Sequence, residues 1–236
     1  MWTRFPADDP TDGLVQWVSD HGGDNRSTWC VDARGGSRGI SLLRGSIDGA
    51  DSSARDSYFS FQPVGRDSLP VLAEQFIRGD ELHLWYPQRE GSFALRLMLQ
   101  PILANEDFFV LEAVLSIETD LLDSHPMIDV VVPAIDVKRF ASDGATASEG
   151  VSPISVCRQQ DDCVATLLGP HDRPFTRDQS GVGHLQLRLF GDFLEKGVIR
   201  KARPWLVVQR GQTEMDASGL SQRWNELSES PLPLTP

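Results

Sequence analysis

The amino-acid sequence predicts an all-β protein, a large antiparallel two-sheet β-sandwich with one short C-terminal helix. Three observations predict it. Four separate runs alternate apolar and polar residues with a period of two. Turn signals rich in Gly, Pro, Asn and Asp separate the runs. One stretch near the C-terminus carries a convincing helical stripe.

Taken in chain order, short apolar segments predict strands at 14–18, 28–31, 40–44 and 58–62. Residues 68–76 read as a turn or two of helix. Arg78-Gly79-Asp80 then marks a hairpin turn, where glycine supplies the positive φ that a tight connection needs. The first alternating run places Leu82, Leu84 and Tyr86 on one face and Glu81, His83 and Trp85 on the other. The second sets Phe93, Leu95, Leu97 and Leu99 against Ala94, Arg96, Met98 and Gln100. The third sets Phe109, Leu111, Ala113, Leu115 and Ile117 against Val110, Glu112, Val114, Ser116 and Glu118. Turn signals at 87–91 and 105–107 connect these runs, and short connections imply antiparallel neighbours.

Strands follow at 127–132, 154–158 and 164–168. Val130-Val131-Val132 lacks alternation, which predicts burial on both faces or a sheet edge. The small, polar segment 141–152 is the candidate for a long loop or weak boundary. The β pattern is the same on both sides of it, so residues 1–236 are read as a single domain. The fourth alternating run sets Leu185, Leu187 and Leu189 against His184, Gln186 and Arg188. Glu195-Lys196-Gly197 separates the runs 185–194 and 198–208, and residues 190–203 read as one long hairpin ending in a basic cluster, Arg200, Lys201 and Arg203. Leu220, Trp224 and Leu227 share the helical stripe of 217–227, and the proline-rich tail 230–236 is read as extended over the surface. In architecture alone, a dozen or more strands without interleaved helices resemble the large curved sheets of galactose-mutarotase-like supersandwiches.

Composition narrows the function classes. The chain has 236 residues, 40% of them hydrophobic, which is enough for a sizeable core. Acidic residues outnumber basic ones 34 to 22, for a net charge of −12. Polyanionic partners require clustered Lys and Arg, so neither nucleic acid nor an anionic membrane is an expected partner. No apolar run approaches the roughly 18 residues of a bilayer span, and no signal-peptide h-region follows Met1, so a cytoplasmic location is expected. The sequon Asn25-Arg26-Ser27 has meaning only in a secreted chain.

Local motifs are weak. Gly35-Gly36-Ser37-Arg38-Gly39 matches the nucleophile-elbow pattern, yet no long helix follows it, so a Gly-rich loop between strands is expected. There is no P-loop, Gly181-Val182-Gly183 lacks the third glycine of a dinucleotide fingerprint, and no C-x-x-C, H-x-H or H-E-x-x-H occurs. No cofactor and no metal site are therefore expected. Asp123-Ser124-His125, His171-Asp172-Arg173-Pro174 and His21-Gly22-Gly23-Asp24 read as polar turns. The three cysteines do not form a disulfide framework, although Cys157 and Cys163 are candidates to face each other across a short hairpin.

The most informative constellation is distributed. If the alternating strands share one sheet, one polar face carries Glu81, His83, Trp85, Arg96, Gln100, Glu112, His184, Gln186 and Arg188. Aromatic faces stack on the apolar side of a sugar ring and charged forks bind its hydroxyls. Trp85, Arg96, Gln186 and Arg188 are the candidate ligand-binding residues. His83, Glu112 and His184 are the candidate acid/base groups. The expected function is a non-catalytic ligand-binding or structural β-sandwich with carbohydrate as a candidate ligand. The alternatives are a carbohydrate-active enzyme of the aldose-epimerase or mutarotase type and a protein–protein interaction module. Oligomeric state is open.

Overall fold

A computed structural model describes residues 1–4, 13–18, 28–44, 57–89, 93–147 and 150–231. The expected turn at 21–24, the sequon and tail residues 232–236 lie outside the described residues. In chain order the strands are β1 (Trp2–Arg4), β2 (Leu14–Val18), β3 (Thr28–Asp32), β4 (Ile40–Leu43), β5 (Ser57–Pro63), β6 (Glu74–Arg78), β7 (Glu81–Tyr86), β8 (Ala94–Ala104) and β9 (Phe108–Glu118). They continue as β10 (Met127–Pro133), β11 (Asp136–Phe140), β12 (Ile154–Gln159), β13 (Asp162–Leu167), β14 (Thr176–Asp178), β15 (His184–Phe190), β16 (Arg200–Ala202) and β17 (Trp205–Gln209), before helix α1 (Ala217–Glu229).

All pairings are antiparallel and form two sheets. The eight-stranded sheet runs β1-β2-β3-β4-β5-β10-β15-β14. The nine-stranded sheet runs β11-β12-β13-β17-β9-β8-β7-β6, with β16 beside β9. The sheets stack through their apolar faces, giving the expected sandwich. Val31, Phe61, Val130 and Leu187 of one sheet share a buried core with Leu84, Leu97, Leu111 and Leu206 of the other. Trp29 stacks on Phe109 across the sheets at 4.7 Å, and the Tyr86 hydroxyl donates to the Ala33 carbonyl at 2.6 Å.

The Val130–Val132 strand lies inside its sheet, between β5 and β15, with Val130 and Val132 buried. Between β11 and β12, two neighbours in one sheet, Thr146 bridges back to Phe140. The Gly35–Gly39 motif forms a single 3-10 turn between β3 and β4. At Gly39, with φ near +73°, a Cβ would sit 2.3 Å from the Phe61 carbonyl oxygen, so backbone packing demands glycine there.

Three local expectations are corrected. Residues 68–76 form no helix: the Leu69 and Leu72 N–H groups donate to the carbonyls of Gly36 and Arg34, which removes them from any helical ladder, and β6 begins at Glu74. The long hairpin over 190–203 does not form. β15 belongs to the eight-stranded sheet, whereas β16 and β17 belong to the other. Phe190 and Gly191, both at positive φ, turn the chain out of the first sheet. Cys157 and Cys163 are both free and buried. Cys157 pairs with Val164 and Cys163 with Arg158, so the two thiols point to opposite faces of the sheet.

α1 begins where expected. The Asp216 carboxylate caps it, accepting from the N–H groups of Ser218 and Gly219. Leu220 and Leu227 bury against Ile154, Ala165, Leu167 and Val207, on the outer face of the nine-stranded sheet. Among the described residues no helix is long and apolar enough to cross a membrane.

Candidate functional site

α1 covers only the β11–β12–β13–β17 half of that outer face. Over β6, β7, β8, β9 and β16 no described residue covers the face, and a groove of about 480 Å3 lies there. Two cross-strand rows form its floor. One row runs Phe76, His83, Met98, Val114. The next runs Glu74, Trp85, Arg96, Ser116, Lys201. Period-two alternation puts every second residue of each strand on this side, and antiparallel register aligns them into rows.

The side chains are ordered by mutual contact. The His83 ring lies parallel to the Phe76 ring, with centroids 4.6 Å apart. Nε2 of His83 is 2.9 Å from Oε2 of Glu81. The Arg96 guanidinium sits 4.7 Å above the Trp85 ring, a cation–π contact, and 3.6 Å from the Glu118 carboxylate. Phe76 is 53% exposed. Burial lowers the pKa of Lys201, because the partly enclosed ammonium has lost hydration.

Glu81, His83, Trp85 and Arg96 thus meet in one groove. The assumption that all alternating runs share one sheet does not hold for the rest. His184, Gln186 and Arg188 lie on β15, in the other sheet. Arg188 grips the buried Asp129 with two bonds of 2.9 and 3.0 Å, which raises the Arg188 pKa, and Gln186 donates to the same carboxylate. Nε2 of His184 lies 3.2 Å from Oε1 of Gln186.

Glu112 shares the groove's face of β9 but lies further along it, buried at the edge of the covered half. It accepts from the Trp205 indole at 2.7 Å and faces Nε of Arg203 at 3.8 Å. Arg203, also buried, donates to the carbonyls of Leu227, Ser230 and Pro231 at the end of α1. Its backbone N–H donates to Asp172, whose pKa burial raises. The basic cluster is therefore divided: Lys201 lines the groove, Arg203 holds the helix, and Arg200 lies 3.9 Å from Asp192.

Phe76 and Lys201 were absent from the face read in the sequence. The signal for Phe76 was the alternation of Glu74, Phe76 and Arg78, hidden by the helical reading of 68–76. Ser116 and Glu118 share the outward parity of Glu112 in the alternating run, although the candidate face named only Glu112 from that strand.

No family profile and no curated protein matches the chain. Among solved structures, it is similar to the heparan sulfate lyase HepC from Pedobacter heparinus, with 11% identity and a TM-score of 0.47, covering 88% of this chain and 37% of that one. The heparinase III BT4657 gene product gives 9% identity and a TM-score of 0.47 over 88% of this chain and 36% of that one. A kojibiose phosphorylase from the human microbiome gives 6% and 0.44 over 94% and 33%. The chain thus spans little more than a third of their length. Agreement this loose does not carry a ligand or an activity from one chain to another.

Proposed function

We propose that the chain is a non-catalytic ligand-binding β-sandwich that takes a carbohydrate into the open groove of the nine-stranded sheet. The observation that carries this reading is the convergence of Phe76, His83 and Trp85 with the hydrogen-bonding groups of Glu81, Arg96 and Glu118 in one groove. A sugar ring presents an apolar C–H face and a rim of hydroxyls. Rings beside charged forks match both.

Catalysis of the epimerase type asks for an acid and a separate base on either side of the reacting carbon. Glu81 and His83 stand two residues apart on one strand and contact each other, so both meet a ligand from the same side. Glu112 is committed to Trp205 and Arg203, and His184 belongs to the other sheet. The groove is therefore read as a binding site.

The test is titration calorimetry against a panel of neutral and acidic mono- and oligosaccharides. Trp85→Ala and Phe76→Ala are each expected to weaken binding about tenfold, since an aromatic contact contributes roughly 0.5–1.5 kcal/mol. Unchanged affinity in the double variant overturns the reading.

A further inference from the structure

We propose that the carbohydrate taken by this groove is an acidic one, whose carboxylate or sulfate sits on Arg96, Ser116 and Lys201. This rests on the reading of the groove as a sugar site and goes on to name its substrate class.

The three residues are consecutive members of one cross-strand row on β8, β9 and β16. With strands about 4.8 Å apart, Arg96 and Lys201 start roughly 10 Å from each other, with Ser116 between them. Both side chains are long enough to converge on one oxyanion above the serine. The Ser116 hydroxyl is half-buried and makes no hydrogen bond among the described residues. A donor so placed, between two cations, suits an oxyanion.

The surroundings strengthen the attraction. Val114 and Ile199 line the same end of the groove and reduce the local dielectric. Partial burial of the Lys201 ammonium on the groove wall lowers its pKa, which places the cation against the groove and not out in bulk water. Glu118 is the competing anion. It lies 3.6 Å from an Arg96 side chain that is half exposed, a long contact that a ligand oxyanion in closer, forked geometry displaces.

The β6–β7 side of the groove carries Glu74 and Glu81, which accept from hydroxyls, together with Arg78. A chain with net charge −12 generally repels acidic ligands, so cations aligned in this row run against the composition of the whole.

The experiment compares sugars of one ring that differ only at C6: glucose, glucuronate and glucose 6-sulfate, with the matching galactose set. Each is titrated into the intact chain by two-dimensional amide NMR, at low and high salt. The expected result is that the uronate or the sulfate binds about tenfold more tightly than its neutral parent, with the preference shrinking at high salt. Which of the two gains more identifies the anion. Lys201→Met is expected to remove the preference and keep the affinity for the neutral parent, whereas Arg96→Gln is expected to remove the preference and also weaken the neutral parent, with wild-type spectral dispersion as the check on folding. Equal affinity for neutral and acidic sugars overturns the acidic assignment and leaves the sugar site standing, as does a preference that survives both substitutions. If no sugar shifts the indole resonance of Trp85, the sugar site and the acidic assignment fall together.

Discussion

The outer face of the nine-stranded sheet has two halves built from the same backbone and used in opposite ways. Over β12, β13 and β17 the outward residues are Val156, Cys163, Ala165, Leu167, Trp205 and Val207, and α1 lies across them. Over β7, β8 and β9 the outward residues include His83, Trp85, Arg96 and Ser116, and the face is open. Most inward residues of both halves are apolar, Ser155 and Thr166 being polar exceptions in the covered half, so β13 and β17 read largely as apolar runs and the open strands as alternation. Alternation in these strands therefore marks a face that no second layer covers among the described residues. The border between the halves is polar and buried: Glu112, Trp205 and Arg203 tie the sheet to the end of the helix.

The largest expected effect lies on that border. Arg203→Met leaves Glu112 buried without its cation and strips three carbonyls of their donor. A loss of about 4 kcal/mol is expected by urea denaturation, since removing one partner of a buried ion pair costs about 3–5 kcal/mol. A loss below about 1 kcal/mol would mean that Arg203 does not hold the covered half together. Within the covered half, Leu227→Ala empties a fully buried position between α1 and the strands. About 3 kcal/mol is expected, within the usual range of about 2–5 for such truncations. A cost near zero would show that the helix is not seated on the sheet.

A smaller and pH-dependent effect is expected at the start of α1. Hydrogen bonds from Ser218, and then Gly219, hold the Asp216 carboxyl below its ordinary value of 3.8. A carboxylate with a depressed pKa in the fold contributes stability above its unfolded value and loses that contribution as pH falls through the folded one. Asp216→Ala should therefore be less stable than the parent at neutral pH, with the difference fading in acid. A difference that stays constant down to pH 2 in a series of thermal melts would rule out the charged cap as its source.

The two halves also differ in how far the sequence revealed them. The open half was legible because alternation is local: His83, Trp85 and Arg96 could be assigned to one face from their own neighbours. The same reasoning selected His184, Gln186 and Arg188, which alternate equally well. Nothing local reports which of two sheets a strand joins. That depends on where the chain crosses over, here after Phe190 and Gly191, both at positive φ. Glu112 was legible as outward-facing, yet its burial depends on a helix about a hundred residues later in the chain. Lys201 was noticed as a charge and misplaced on a hairpin, because β16 finds its partner β9 across a long stretch of sequence. Local period shows orientation; long-range contact decides exposure.

The smallest effect on stability is expected in the open half, and it sharpens the comparison most. Phe76 is more than half exposed on an edge strand, and its main described contact is the stack on His83. Phe76→Ala removes as much side chain as a core substitution does, yet water already reaches most of what is removed. A change of less than about 1 kcal/mol is expected, as for surface positions generally. A buried phenylalanine truncated in the same way costs about 3–5 kcal/mol. The variant should unfold at nearly the parent's urea midpoint while its amide spectrum changes around His83 and Glu81. Should Phe76→Ala instead cost as much as Leu227→Ala, the groove residues would be holding the fold together, and this half of the face would be a second core. A stable variant would show that Phe76 contributes little to the fold, as a ligand-contacting ring on an open face requires.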